Sequence, residues 1–159
     1  MNARMQNPAT LVPGALDGLL AVASAARSTG LPERIVGLVQ LRASQINGCG
    51  VCVDMHAREL RHAGESDQRI DTVAGWRDAS YFADDERAAL ELTEAATRIA
   101  DRGDVPQEVF DAAADHFDEK QMAGLVLQIA LINAFNRVNV TTRQVAGDWI
   151  ADLLRRQAS

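Results

Sequence analysis

Between Glu119 and Arg137 the chain sets Leu125, Val126, Leu127, Ile129, Ala130, Leu131, Ile132 and Phe135 with little polar interruption. Asp118 stands three residues before Gln121. This is a capping-box spacing, in which each side chain satisfies a backbone N–H that the helix leaves open. The pattern predicts a long helix forming the core of whatever surrounds it. From Pro32 onward, Ile35, Leu38, Val39, Arg42 and Ile46 recur at helical spacing. The added Val36 and Leu41 predict a helix buried on more than one side.

Punctuation between such runs divides the rest of the chain. Pro13 opens a helix to Ala26, and Gly30 and Pro32 separate it from the next. Asn47-Gly48 breaks the chain, because this pair readily takes positive φ. A helix from Cys49 to His62 then closes at Gly64. Ser66 starts a short helix, and a loop covers Trp76 to Tyr81. Asp84 or Asp85 caps a helix through Ala100, Pro106 opens a brief one to Asp115, and a last one spans Thr142 to Leu154. No stretch alternates apolar and polar residues as a strand would. The expected fold is all-α, a single-domain bundle of seven or eight helices over residues 1–159.

Net charge of −6 spread over both signs argues against nucleic acid or an anionic membrane as the main partner. Arg58, Arg61 and His62 make no basic patch, since Glu59 interrupts them. The apolar run Ala123 to Phe135 is short for a bilayer and carries Gly124, Gln128 and Asn133. Met1 to Thr10 lacks the apolar run of a signal peptide, so the expected location is cytoplasmic.

The chain has two cysteines, Cys49 and Cys52. A disulfide closing so small a loop restrains the unfolded chain little, which points away from a purely structural pair. On one helix Cys49, Cys52 and His56 share a face, because steps of three and four residues return to nearly the same side. The cysteine pair sits at the helix's first turn, where open N–H groups and the dipole favour an anion. An ordinary thiol is only about 3% thiolate at pH 7. A helix N-terminus, an imidazolium or a C-x-x-C arrangement raises that fraction. The trio therefore predicts thiol redox chemistry, with His56 to take or hold a proton and one sulfur to resolve a sulfenic acid on the other. Zinc is the competing reading, but a closed site needs four ligands and only His62 or His116 remains to extend the set. Met5, Met55 and Met122 are too scattered to hold a cofactor, and none is expected. Trp76 and Trp149 read as core or subunit contacts. Asn133, Asn136 and Arg137 read as groups bridging helices or subunits.

The segment Leu41 to Cys49 (LRASQINGC), followed by Cys52 to His56 (CVDMH), resembles the alkyl hydroperoxidase D-like branch of the carboxymuconolactone decarboxylase family. Gly64-Glu65-Ser66 and Ile132 to Arg137 (INAFNR) extend the likeness over residues 30 to 145. True carboxymuconolactone decarboxylases generally lack the cysteine pair. The resemblance implies an all-α homo-oligomer, a trimer or a hexamer of dimers. It implies hydroperoxide reduction with thiol electrons, no haem or flavin, and a dithiol, lipoyl or thioredoxin-like electron donor. It assigns Cys52 as the peroxidatic sulfur, Cys49 as resolving partner and proton donor, and His56 as proton relay. The family motif also carries a relay glutamate twelve residues before the first cysteine, and here that position is Gly37. Glu33, one turn earlier and about 5–6 Å along the axis, is the available stand-in. Without a stand-in the chain is expected to act as a thiol–disulfide oxidoreductase with little peroxidase activity. A third alternative is a non-enzymatic, redox-sensing helical assembly.

Overall fold

The computed structural model describes residues 2–147 and Ile150. Among them are nine α-helices, one 3-10 helix and no strand. The helices are α1 (Pro8–Leu11), α2 (Ala15–Arg27), α3 (Glu33–Ile46), α4 (Gly50–His62), α5 (Asp67–Thr72), α6 (Asp84–Thr97), α7 (Ile99–Arg102), α8 (Gln107–Ala114) and α9 (Glu119–Thr142). The 3-10 helix, Val73–Asp78, lies between α5 and α6. The expected all-α bundle is what forms.

The central element is α3, packed against α4, α6 and α9. Its Ile35, Val36, Leu38, Val39 and Leu41 are all buried, so the helix is enclosed on several sides as its sequence predicts. Ile35, Val36 and Val39 join Leu92 of α6 and Leu125 and Ile129 of α9 in one cluster. Leu38 and Leu41 face a second cluster with Leu60 of α4, Trp76, Phe82 and Leu90. Burial at about 25 cal/mol per Å² makes these two clusters the main source of stability.

Four expectations change. Trp76 lies in the 3-10 helix rather than a loop; its indole N–H donates to Glu94 at 2.9 Å, and that bond anchors the segment. The helix expected to reach Ala100 ends at Thr97, where Arg98 turns the chain into α7. The long helix runs to Thr142 instead of Arg137, ending at Arg143 in the left-handed region. It is also not uniformly core. Val126 and Leu127 are exposed while Gln128 and Asn136 are fully buried, because α9 covers α2 and α3 with one side only. Its 24 residues would be long and apolar enough to cross a membrane, yet the buried side packs on α2, α3 and α6. The helix expected over Thr142 to Leu154 lies, beyond residue 147 and apart from Ile150, outside the described residues, as does Trp149.

Candidate active site

Cys49 reaches its place through the end of α3. Gly48 takes φ +67°, and the N–H groups of Gly48 and Cys49 donate to the carbonyls of Gln45 (3.3 Å) and Ser44 (3.0 Å). Two such bonds around a left-handed glycine form a Schellman stop. It leaves Cys49 as the N-cap of α4 and Cys52 inside its first turn. The same geometry closes α4 at Gly64, φ +93°, through Gly64 to Arg61 and Glu65 to Leu60.

A polar clamp ties this turn to α9. The Asn47 side-chain amide donates to the Oδ1 atoms of Asn133 and Asn136, each at 2.9 Å. Asn136 donates to Ser44 Oγ at 3.1 Å, and Asn133 to Thr97 Oγ1 at 3.1 Å. Buried amides left unpaired would cost several kcal/mol, so the network fixes the turn's position as well as satisfying itself. Arg137 donates back to Asn133 at 3.0 Å. Asn133 and Asn136 thus bridge helices, whereas Arg137 bonds within α9.

Cys49 and Cys52 are joined as a disulfide with a Cα–Cα separation of 5.3 Å, and each is only 1% exposed. Val51, Met55 and Ile150 pack around them. A cavity of about 600 Å³ opens beside Cys49, walled by Gly48, Val51, Val140, Arg143 and Val145. His56 follows Cys52 by one turn on the buried face of α4. Its Nδ1 lies 2.7 Å from Glu59 Oε2. With Nδ1 engaged by a carboxylate, Nε2 is the nitrogen left for chemistry. Nε2 is buried and makes no hydrogen bond among the described residues.

The structure thus puts Cys49 at the N-cap of α4 and Cys52 and His56 in its first two turns, but draws Glu33 elsewhere. Glu33 pairs with Arg27 at 2.6 Å, and its side chain is 67% exposed. The carboxylate that touches His56 is Glu59, which sequence reasoning passed over. The signal was present, since i and i+3 are neighbours on a helix surface. Gly37 faces Leu60: a Cβ there would stand 2.6 Å from Leu60 Cδ2. Leucine occupies the space into which a longer residue at 37 would grow. Glu33, Gly37, Glu59 and Leu60 share the wall of a second cavity of about 400 Å³. His62 and His116 are exposed on the surface.

The family model for the carboxymuconolactone decarboxylase family matches residues 13–95, just over half of the chain. An uncharacterised protein of Bacillus subtilis, YdfG, is 41% identical over 103 residues, covering 65% of this chain and 69% of that protein. The alkyl hydroperoxide reductase AhpD of Bradyrhizobium diazoefficiens is 43% identical over 44 residues, covering 28% of this chain and 24% of its own length. Thus the chain spans only about a quarter of that reductase. A crystal structure from Agrobacterium tumefaciens, of a protein of unknown function assigned to AhpD-type antioxidant defence, superposes with a TM-score of 0.85 at 36% identity. It covers 92% of this chain and 99% of that one. A dithiol pair at a helix start, on this fold and with these relatives, fits a redox role. The chain belongs to the carboxymuconolactone decarboxylase family, in its AhpD-like branch.

Proposed function

We propose that this protein is a thiol-dependent peroxidase that reduces hydroperoxides through Cys52 and Cys49, with His56 and Glu59 handling the proton. The observation that carries the reading is the bonded Cys49–Cys52 pair at the first turn of α4, with an imidazole–carboxylate couple one turn away. In the reduced protein the Cys52 thiolate attacks the terminal oxygen of ROOH. The O–O bond breaks, Cys52 becomes a sulfenic acid, and the alkoxide leaves as ROH with a proton from His56 or Cys49. Cys49 Sγ then attacks Cys52 Sγ; the S–O bond breaks and the oxygen leaves as water. Two thiol electrons pass to the peroxide, and the disulfide remains. An external dithiol, of lipoyl or thioredoxin-like type, restores both thiols by exchange. Glu59 holds the imidazole through Nδ1 and opens on the second cavity, a route by which the relay proton exchanges with water.

An assembly of several copies accompanies this proposal. Ala123, Val126, Leu127 and Ala130 form an exposed apolar stripe on α9, and Leu20 and Val22 are exposed on α2, the helix packed against it. Exposed apolar surface of this kind suits subunit contact.

A second reading, a thiol–disulfide oxidoreductase with little peroxide turnover, is favoured by Gly37, where the branch's relay glutamate is absent. Hydroperoxide consumption by wild type, Cys49→Ser and Cys52→Ser with a dithiol donor separates the two. A peroxidase loses turnover in both variants and yields a trappable sulfenate at Cys52 in Cys49→Ser. Reduction of a protein disulfide without peroxide consumption establishes the second reading instead.

A further inference from the structure

The structure reaches Cys52 from a quarter the motif does not include. The Asn139 side-chain amide donates to Cys52 Sγ at 3.3 Å. The orientation of that amide is settled by a chain of bonds that begins at a backbone N–H. Asn7 is the N-cap of α1, and its Oδ1 accepts from the Ala9 N–H at 2.9 Å. An asparagine side chain has one acceptor end and one donor end, so the Asn7 NH₂ must face the other way. There it donates to Asn139 Oδ1 at 2.9 Å. Asn139 has then spent its acceptor on Asn7, and its NH₂ is the end turned to the sulfur. Rotating the Asn7 amide by half a turn would set oxygen against oxygen, and rotating that of Asn139 would set NH₂ against NH₂.

Both ends of this relay are anchored. The Asn139 carbonyl accepts from Gln144 N–H at 2.9 Å where α9 stops. Arg4 N–H donates to the Thr142 carbonyl at 2.8 Å, Arg4 Nη1 to the Thr141 carbonyl at 3.0 Å, and Gln144 Nε2 to the Met5 carbonyl at 3.1 Å. The segment before α1 is therefore strapped to the end of α9. Among the described residues Cys49 Sγ receives no such side-chain donor. An N–H aimed at a sulfur favours its charged form, because a thiolate accepts a hydrogen bond far better than a thiol. Among the described residues the two sulfurs, alike in burial, differ in this side-chain donor.

We infer that Asn139, oriented by Asn7, is a further residue of the redox centre: it stabilises the Cys52 thiolate and so selects Cys52 over Cys49 as the sulfur that reacts first. The inference rests on the redox reading of the pair, and it adds what neither spacing nor helix position decides.

The test titrates the thiol directly. In Cys49→Ser protein, thiolate absorbance and alkylation rate against pH report the ionisation of Cys52. Adding Asn139→Ala is expected to raise its midpoint by about one pH unit, the tenfold equivalent of losing one hydrogen bond to a charged group. Asn7→Ala shifts it the same way by less, since the freed amide can turn its oxygen to the sulfur. Asn139→Asp, nearly the same shape, raises it further by placing negative charge beside the thiolate. Helicity by circular dichroism confirms that each variant is folded. A midpoint unmoved by both Asn139→Ala and Asn139→Asp overturns the inference, and so does a lower midpoint for Cys49 in Cys52→Ser than for Cys52 in Cys49→Ser. The peroxidase reading stands or falls separately: the titration can shift in a protein that never consumes peroxide, and peroxide can be consumed with the titration unmoved.

Discussion

Glu59→Gln keeps a hydrogen-bond acceptor for His56 but removes its charge, and the structure sets the size of the effect. The Nδ1–Oε2 contact is short, 2.7 Å, and the imidazole is 6% exposed, whereas the carboxylate side is 41% exposed. A buried hydrogen bond to a charged group is worth about 1.5–3 kcal/mol. A solvent-exposed ion pair is worth about 0–1 kcal/mol. With one partner in each regime, about 1 kcal/mol is expected, or about a fivefold loss of rate. Single-turnover oxidation of the reduced protein by a small organic hydroperoxide, followed by thiol titration of quenched samples, should show that fivefold slowing. His56→Ala should slow the step by about a hundredfold or more, the contribution of a positioned acid or base. In the double variant the Glu59 change should cost nothing further, because Glu59 acts through His56. Glu33→Gln should leave the rate within about twofold. Additive losses in the double variant, or a Glu33→Gln effect as large as that of Glu59→Gln, would refute the assignment.

Two stability predictions follow from the packing around the site. Glu94 is buried and accepts from Arg42, Trp76 and Arg77; burial pushes its carboxyl up, but bonds from Arg77, Trp76 and Arg42 outweigh this and hold it below the ordinary range. Glu94→Gln should cost about 2–3 kcal/mol in urea unfolding at neutral pH, toward the low side for a buried pair because Arg77 is half-exposed. Since the folded carboxyl is the more acidic form, wild type's advantage is complete above about pH 5 and shrinks as pH falls below about 4.5. Gly124→Ala drives a Cβ into Thr29 Oγ1 and sets it 3.0 Å from the Ala26 carbonyl. A helix-propensity gain of about 1 kcal/mol is outweighed by overpacking against the Thr29 side chain, whose hydroxyl is held by its bond to the Ala26 carbonyl, a net loss of about 1–2 kcal/mol by the same assay.

Where structure was decided within a few residues, the sequence was legible. Asn47-Gly48, Gly64 and the Asp118–Gln121 box each mark a helix end through bonds to backbone three to five residues away, and each falls where it was expected. Features decided across the fold were not legible. The helix α1 owes its N-cap partly to Asn139, 132 residues distant. The last turn of α9 contains Asn139, Thr141 and Thr142, poor helix formers that the strap from Arg4 and Met5 supports. The site divided the same way. Cys49, Cys52 and His56 share a helix and could be placed together by spacing alone. The resemblance directs attention to α3 for the relay carboxylate, and the register of that helix offers Glu33. Only the contact between Gly37 and Leu60, and the pairing of Glu33 with Arg27, show why α3 supplies no carboxylate to His56 and α4 supplies its own.

Central to this account is that a peroxide oxidises the Cys49–Cys52 dithiol through Cys52. Intact-protein mass spectrometry of reduced wild type and of Cys49→Ser, each mixed with one equivalent of hydroperoxide, tests it most directly. The account predicts loss of two hydrogens in wild type and gain of one oxygen at Cys52 in the variant, both far faster than with a free small-molecule thiol. Oxidation no faster than that free thiol, or oxygen appearing on Cys49 of Cys52→Ser at the same rate, would contradict it.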